Sequence, residues 1–110
     1  MLGLPTDLEM IILRLLLARP GSELYGLQMV RADPDNLGKT SIYVLLTRMI
    51  ARGFLESRYE TDKERQKQAG RGPKRRLYKI SAYGEQQYKA REAAERTMVR
   101  LNQPKPQGAL

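Results

Sequence analysis

"GKTSIYVLLTRMIARGFLESRYE", residues 38–60, changes its period partway along, and that change decides the fold. From Thr40 to Arg52, at ~100° per residue, Ile42, Leu46, Met49 and Ile50 gather in one stripe, which predicts a helix with one buried face. The other side carries Thr40, Ser41, Val44, Thr47, Arg48 and Arg52, which are small, polar or basic, with no acid among them. Gly53 suits the helix end, where a left-handed residue is common. Beyond it the period drops to two, and Phe54 to Glu60 alternates as a strand.

The first three letters, Gly38-Lys39-Thr40, match the end of a nucleotide-binding phosphate loop. Such a loop needs a glycine five positions before its second glycine, after a buried strand. Here that position is Asp33, an acid that would repel a polyphosphate, and the preceding segment reads as a helix. The phosphate loop is rejected. A helix beginning at Lys39, Thr40 and Ser41 instead offers free backbone N–H groups and a positive dipole end to an anion. A DNA phosphate is such an anion, and a recognition helix docks in this way.

Working outward toward the N-terminus, "PTDLEMIILRLLLARPG" predicts a first helix. Thr6 and Glu9 form a capping box, Leu8, Ile11, Ile12, Leu15 and Leu16 recur at helical spacing, and Pro20-Gly21 ends it. "SELYGLQMVRAD" predicts a second, short helix capped by Ser22, with Leu24, Leu27 and Val30 on one side. Asp33-Pro34-Asp35-Asn36 then breaks the chain. Toward the C-terminus, Arg75 to Ser81 alternates as a second strand, and a last helix is expected from Ala82 to Leu101. Between the strands, "TDKERQKQAGRGPK" has almost no apolar content and reads as a long basic loop. Pro104 and Pro106 open a tail expected to be disordered.

The chain of 110 residues has room for one domain. Its net charge of +8 is unevenly placed: residues 1–57 balance six Lys/Arg against six Asp/Glu, while residues 63–79 hold eight against one. That block reads either as a solvated loop or as a footprint for a phosphate backbone. There is no Cys and no His, which removes disulfides, thiolate metal sites and the commonest general base, and argues against an enzyme. No metal or cofactor is expected. The apolar run at Met10–Ala18 is interrupted by Arg14 and is shorter than the ~20 residues of a membrane span, and the start lacks a basic signal region, so a cytoplasmic protein is expected.

Three helices followed by a hairpin with a basic loop define a winged helix-turn-helix. The expected class is therefore mostly α with a small β-hairpin (α+β): a DNA-binding domain over 1–81, a C-terminal helix over 82–102 and a tail over 103–110. The residues resemble the PadR-like transcriptional regulators, short branch, from Leu8 to Gly84. "LYGLQM" (24–29) is similar to that family's second helix, "TSIYVLLTRMIARGFLES" (40–57) to its recognition helix, and "GRGPKRRLYKISAYGE" (70–85) to its wing.

The resemblance implies a homodimeric repressor that holds helix 40–52 in the major groove of duplex DNA and lays its basic wing, 61–76, on the backbone or minor groove. It implies DNA contacts from Ser41, Tyr43, Thr47 and Arg48 on the helix and from Arg71, Lys74 and Arg75 on the wing, to which the helix start adds Lys39 and Thr40 as expected DNA contacts. Tyr78 lies on the second wing strand, as a DNA-side or a core aromatic. The resemblance also makes 82–102 the dimerisation helix, with contacts expected through Tyr88, Ala94, Met98 and Leu101. The last helix is poor in aromatics, so it supplies little for the aromatic-lined effector cavity of drug-sensing members. The alternative is a basic winged-helix RNA- or ribosome-associated protein, which competition between duplex DNA and structured RNA would distinguish.

Overall fold

The computed structural model describes residues 3–68 and 72–102. Arg71 and the expected disordered tail lie outside the described residues. Helix α1 (Asp7–Leu17) starts with the capping box: the Glu9 N–H donates to Thr6 Oγ1 at 3.3 Å, and the Thr6 N–H donates to Glu9 Oε1 at 2.8 Å. Its buried face is rotated from the expected one, comprising Met10, Ile12, Leu13 and Leu16, while Leu8 is exposed. Seven apolar residues in eight positions left the phase of the stripe open, and the neighbouring helices chose it.

Helix α2 (Gly26–Ala32) begins three residues later than Ser22 as cap implied. Two forces outcompete helix there. Ser22 Oγ donates instead to the Leu16 carbonyl at the end of α1, and Leu24 forms an antiparallel bridge with Tyr78 through N–H···O bonds of 3.0 and 2.8 Å. A short extended segment thus ties the α1–α2 connection to the hairpin.

Helix α3 (Ser41–Ala51) has the expected stripe, with Ile42, Leu46 and Met49 buried. Gly53, at φ +80°, closes it with a Schellman motif, the Phe54 N–H reaching the Met49 carbonyl and the Gly53 N–H reaching that of Ile50, both at 2.9 Å. Strands β1 (Leu55–Tyr59) and β2 (Arg76–Ile80) pair antiparallel in a register that sets Leu55 opposite Ile80 and Ser57 opposite Tyr78. The connection between them is not simply a loop. It carries a short helix, α4 (Asp62–Gln66), capped reciprocally by Thr61 and Glu64.

Helix α5 (Ala82–Asn102) is anchored along its first half, where Arg91 pairs with Asp7 and donates to the Pro5 carbonyl at 2.8 Å. Ser81 Oγ accepts from the Gly84 N–H at 2.9 Å and donates to the Gly53 carbonyl at 2.6 Å, so the helix grows out of the α3–β1 junction. Gly84 is required by that junction, since a Cβ there would overlap the Phe54 carbonyl oxygen. The core they enclose joins α1, α2 and α3 through Ile12, Leu13, Leu16, Met29, Leu46 and Met49, with Phe54 and Tyr78 from the hairpin. Burying a side chain such as Phe54 stabilises the fold by roughly 1.5–3 kcal/mol. Past Tyr88, α5 buries no further residue and projects from the body, which stretches the molecule to 68 Å along its longest axis.

Candidate nucleic-acid interface

The exposed side of α3 presents Ser41, Tyr43, Val44, Thr47 and Arg48, and Lys39 and Thr40 are exposed just ahead of it. Arg48 has no acid within ion-pairing distance among the described residues. Thr47 Oγ1 donates back to the Tyr43 carbonyl at 2.8 Å, which fixes its rotamer. The Tyr43 ring lies against Gly26 so closely that a Cβ there would sit 3.0 Å from Tyr43 Cε1. A glycine at the start of α2 therefore lets the α3 tyrosine lie flat. Arg52, expected on the outward face, is turned inward instead. It pairs with Glu9, which is 1% exposed, and lies 4.5 Å over the Phe54 ring. At the rim of the stripe, a buried carboxylate decides which way such a side chain turns.

Beside α3 the wing is organised by carboxylates. Glu60, 5% exposed, accepts from the Arg75 N–H at 2.7 Å and from its Nε and Nη2 at 3.1 Å, and Gln68 Nε2 also donates to it. The same guanidinium lies 4.1 Å from the centre of the Tyr25 ring. Arg58 bridges Glu23 and Glu64 with four bonds of 2.8 to 2.9 Å, and Lys74 meets Asp62 at 2.7 Å. These cations hold Glu60, Asp62 and Glu64 below the usual carboxylate range, Glu64 down to about 2. Burial pushes the Tyr78 phenol up, in keeping with a core position rather than a surface one.

The described wing residues expected to face DNA are therefore not equivalent. Lys74 and Arg75 are engaged by acids at the base of the wing. Lys63, Arg65 and Lys67 on and after α4 have no acid partner among the described residues. Arg76 is likewise unpaired, donating to Ser57 Oγ at 3.0 Å. Between α2, α3 and the wing runs a cleft of about 520 Å³, lined among others by Tyr25, Tyr43, Thr47, Tyr59, Arg75 and Tyr78. Sequence reasoning missed Glu60, Arg58, Tyr25 and Tyr59. The short helix had a signal, since Thr61 followed by Glu64 is itself a capping-box pattern.

Of the expected dimer residues, Tyr88 is turned into its own chain, where it is buried and its hydroxyl accepts from Arg14 Nε at 3.3 Å. It is a core residue, because it falls within the one stretch of α5 that packs on α1. Met98, Val99 and Leu101 are exposed, at 57, 59 and 73%, and Ala94 is half-buried. Among the described residues no cluster of acids, His or Cys is placed to hold a metal ion, and no helix is long and apolar enough to cross a membrane.

Helix-turn-helix followed by a paired hairpin and a projecting helix defines the winged helix-turn-helix class. Its structural neighbours across most of the chain are PadR-family transcriptional regulators. A PadR-family regulator from Clostridium difficile R20291 superposes with a TM-score of 0.66 at 18% identity, over 87% of this chain and 94% of that one. A PadR-like transcription factor from Bacteroides fragilis gives 0.65 at 22%, over 86% and 84%. Bacillus subtilis PadR in complex with operator DNA gives 0.61 at 18%, over 94% of this chain and 51% of that one. The chain thus spans about half the length of the Bacillus protein. Family models and curated proteins give no match to the sequence.

Proposed function

We propose that this protein is a sequence-specific, duplex-DNA-binding transcription regulator that acts as a repressor and a homodimer. The observation that carries the reading is the acid-free outward face of α3, where Arg48, like several cations of the wing beside it, has no acid partner among the described residues. A helix of that kind enters the major groove with its first turns toward base edges, while the wing follows the phosphate backbone. Lys39, Thr40 and Ser41 would meet phosphate at the helix N-terminus, Tyr43 and Thr47 would flank the groove, and Arg48 would read guanine through a bidentate contact. The likeness to a fold that, in Bacillus subtilis PadR, is seen with operator DNA supports this reading.

The projecting half of α5 supports the dimer. Met98, Val99 and Leu101 are apolar and uncovered, and a second α5 would bury them. Two-fold pairing would set two recognition helices about one turn of DNA apart. A role on the chromosome would place the protein in the cytoplasm.

The test is selection of duplexes from a random pool with purified protein, followed by footprinting on DNA upstream of its own gene. One enriched sequence with paired half-sites is expected. Equal retention of all duplexes, or preference for structured RNA, would overturn the reading.

A further inference from the structure

Val44 is the residue on α3 that the proposed function leaves without a task. At ~100° per residue it projects almost directly opposite the stripe centred on Ile42, Leu46 and Met49. Its Cα–Cβ direction therefore points most directly away from the body, and it is 60% exposed. Tyr43, the other large exposed apolar residue of the helix, is accounted for by its packing on Gly26. Val44 has Ser41 one turn before it and Arg48 one turn after it on the same ridge, with Thr47 and Ala51 alongside. A branched hydrocarbon thus stands among Lys39, Ser41, Thr47 and Arg48, with Leu8 and Leu45 on the side toward α1.

If α3 lies in the major groove, the isopropyl group of Val44 faces the floor of the groove between Ser41 and Arg48. It can neither donate nor accept a hydrogen bond. Over the acceptors of guanine or the amino group of adenine or cytosine it would strip water from a polar edge and return nothing. The one apolar group on that floor is the 5-methyl of thymine. We infer that Val44 is a specificity-determining residue that selects a thymine methyl at the centre of each operator half-site, beside the base pair read by Arg48. The inference rests on the operator-binding reading above and adds to it a base and a chemical group.

The test uses the full-length protein and the duplex enriched from the random pool. Each thymine of a half-site is replaced in turn by deoxyuridine, which removes the methyl alone. One position is expected to weaken binding roughly three- to fivefold, the ratio that burying a single methyl group produces. Val44→Ala, which changes only an exposed side chain, should bind the thymine and uracil duplexes equally and keep the thermal midpoint of the parent. A protein that binds its enriched duplex specifically but is indifferent to every thymine methyl overturns this inference and leaves the regulator reading standing. So does a uracil penalty of the same size in Val44→Ala, or an enriched half-site without thymine. A pool yielding no enriched duplex overturns the operator-binding reading itself, and this one with it.

Discussion

Arg75 and Glu60 lock the base of the wing: the guanidinium holds the carboxylate through Nε and Nη2 at 3.1 Å, and the Arg75 backbone N–H adds a third bond at 2.7 Å. The two residues flank the whole 61–74 connection, so the pair closes that segment at its neck. Arg75→Ala would leave Glu60 inside the fold without its countercharge and strip the Tyr25 ring of its cation. The thermal midpoint should fall by several degrees, more than for Lys74→Ala, whose partner Asp62 is open to water. Equal midpoints in the two variants would mean that the neck is not a structural lock.

The wing's acids also set its response to pH. Glu60, Asp62 and Glu64 each have a lower pKa folded than unfolded, through Arg75, Lys74 and Arg58 respectively. Their contribution is therefore fully present above the ordinary glutamate value of 4.5 and is lost as pH falls through the folded values, about 2 for Glu64. Protection of the α4 and β2 amides, relative to the unstructured chain at the same pH, should be constant above that pH and fall below it. Arg58→Gln should blunt the acid response of α4, because Glu64 then titrates nearer its ordinary value. Protection that stays flat down to pH 2 would refute the scheme.

The salt dependence of DNA binding should separate paired from unpaired wing cations. Each phosphate contact contributes about 0.9 to the log–log salt slope on duplex DNA. Lys63→Ala with Lys67→Ala is expected to flatten the slope by roughly two units without loss of stability. Lys74→Ala should change it less, because the charge it removes is already matched by Asp62. The reverse order would show that the wing turns Lys74 to the DNA on binding.

Arg48→Ala should weaken the enriched duplex more than random duplex, by ~1–3 kcal/mol of discrimination for a bidentate guanine contact. Parallel losses on both would make Arg48 a phosphate contact.

Two substitutions probe the frame that carries the site. Gly84→Ala forces a methyl against the Phe54 carbonyl oxygen, a backbone atom that cannot rotate away. It should cost roughly 2–3 kcal/mol and loosen α5 from the hairpin. Glu9→Ala removes half of the α1 capping box and the partner of Arg52, with an expected cost of about 3 kcal/mol in chemical denaturation.

What the sequence determined by itself was local. The Thr6–Glu9 cap, the helical stripe of α3, the glycine that ends it and the period-two strands each act within a few residues, so their order alone specified three helices, a hairpin and a last helix. What only the tertiary structure decided was the use of charge and the phase of the faces. Arg48 and Arg52 stand one turn apart on the same helix, yet one is open to solvent and the other is held by Glu9, forty-three residues away. Arg75 and Lys74 read as wing-tip cations until Glu60 and Asp62 are brought beside them, and Tyr88 reads as a dimer residue until α5 is laid on α1. The physical reason is the same each time. Whether a charge or a ring is exposed depends on groups distant in the chain, whose desolvation and pairing no local period records.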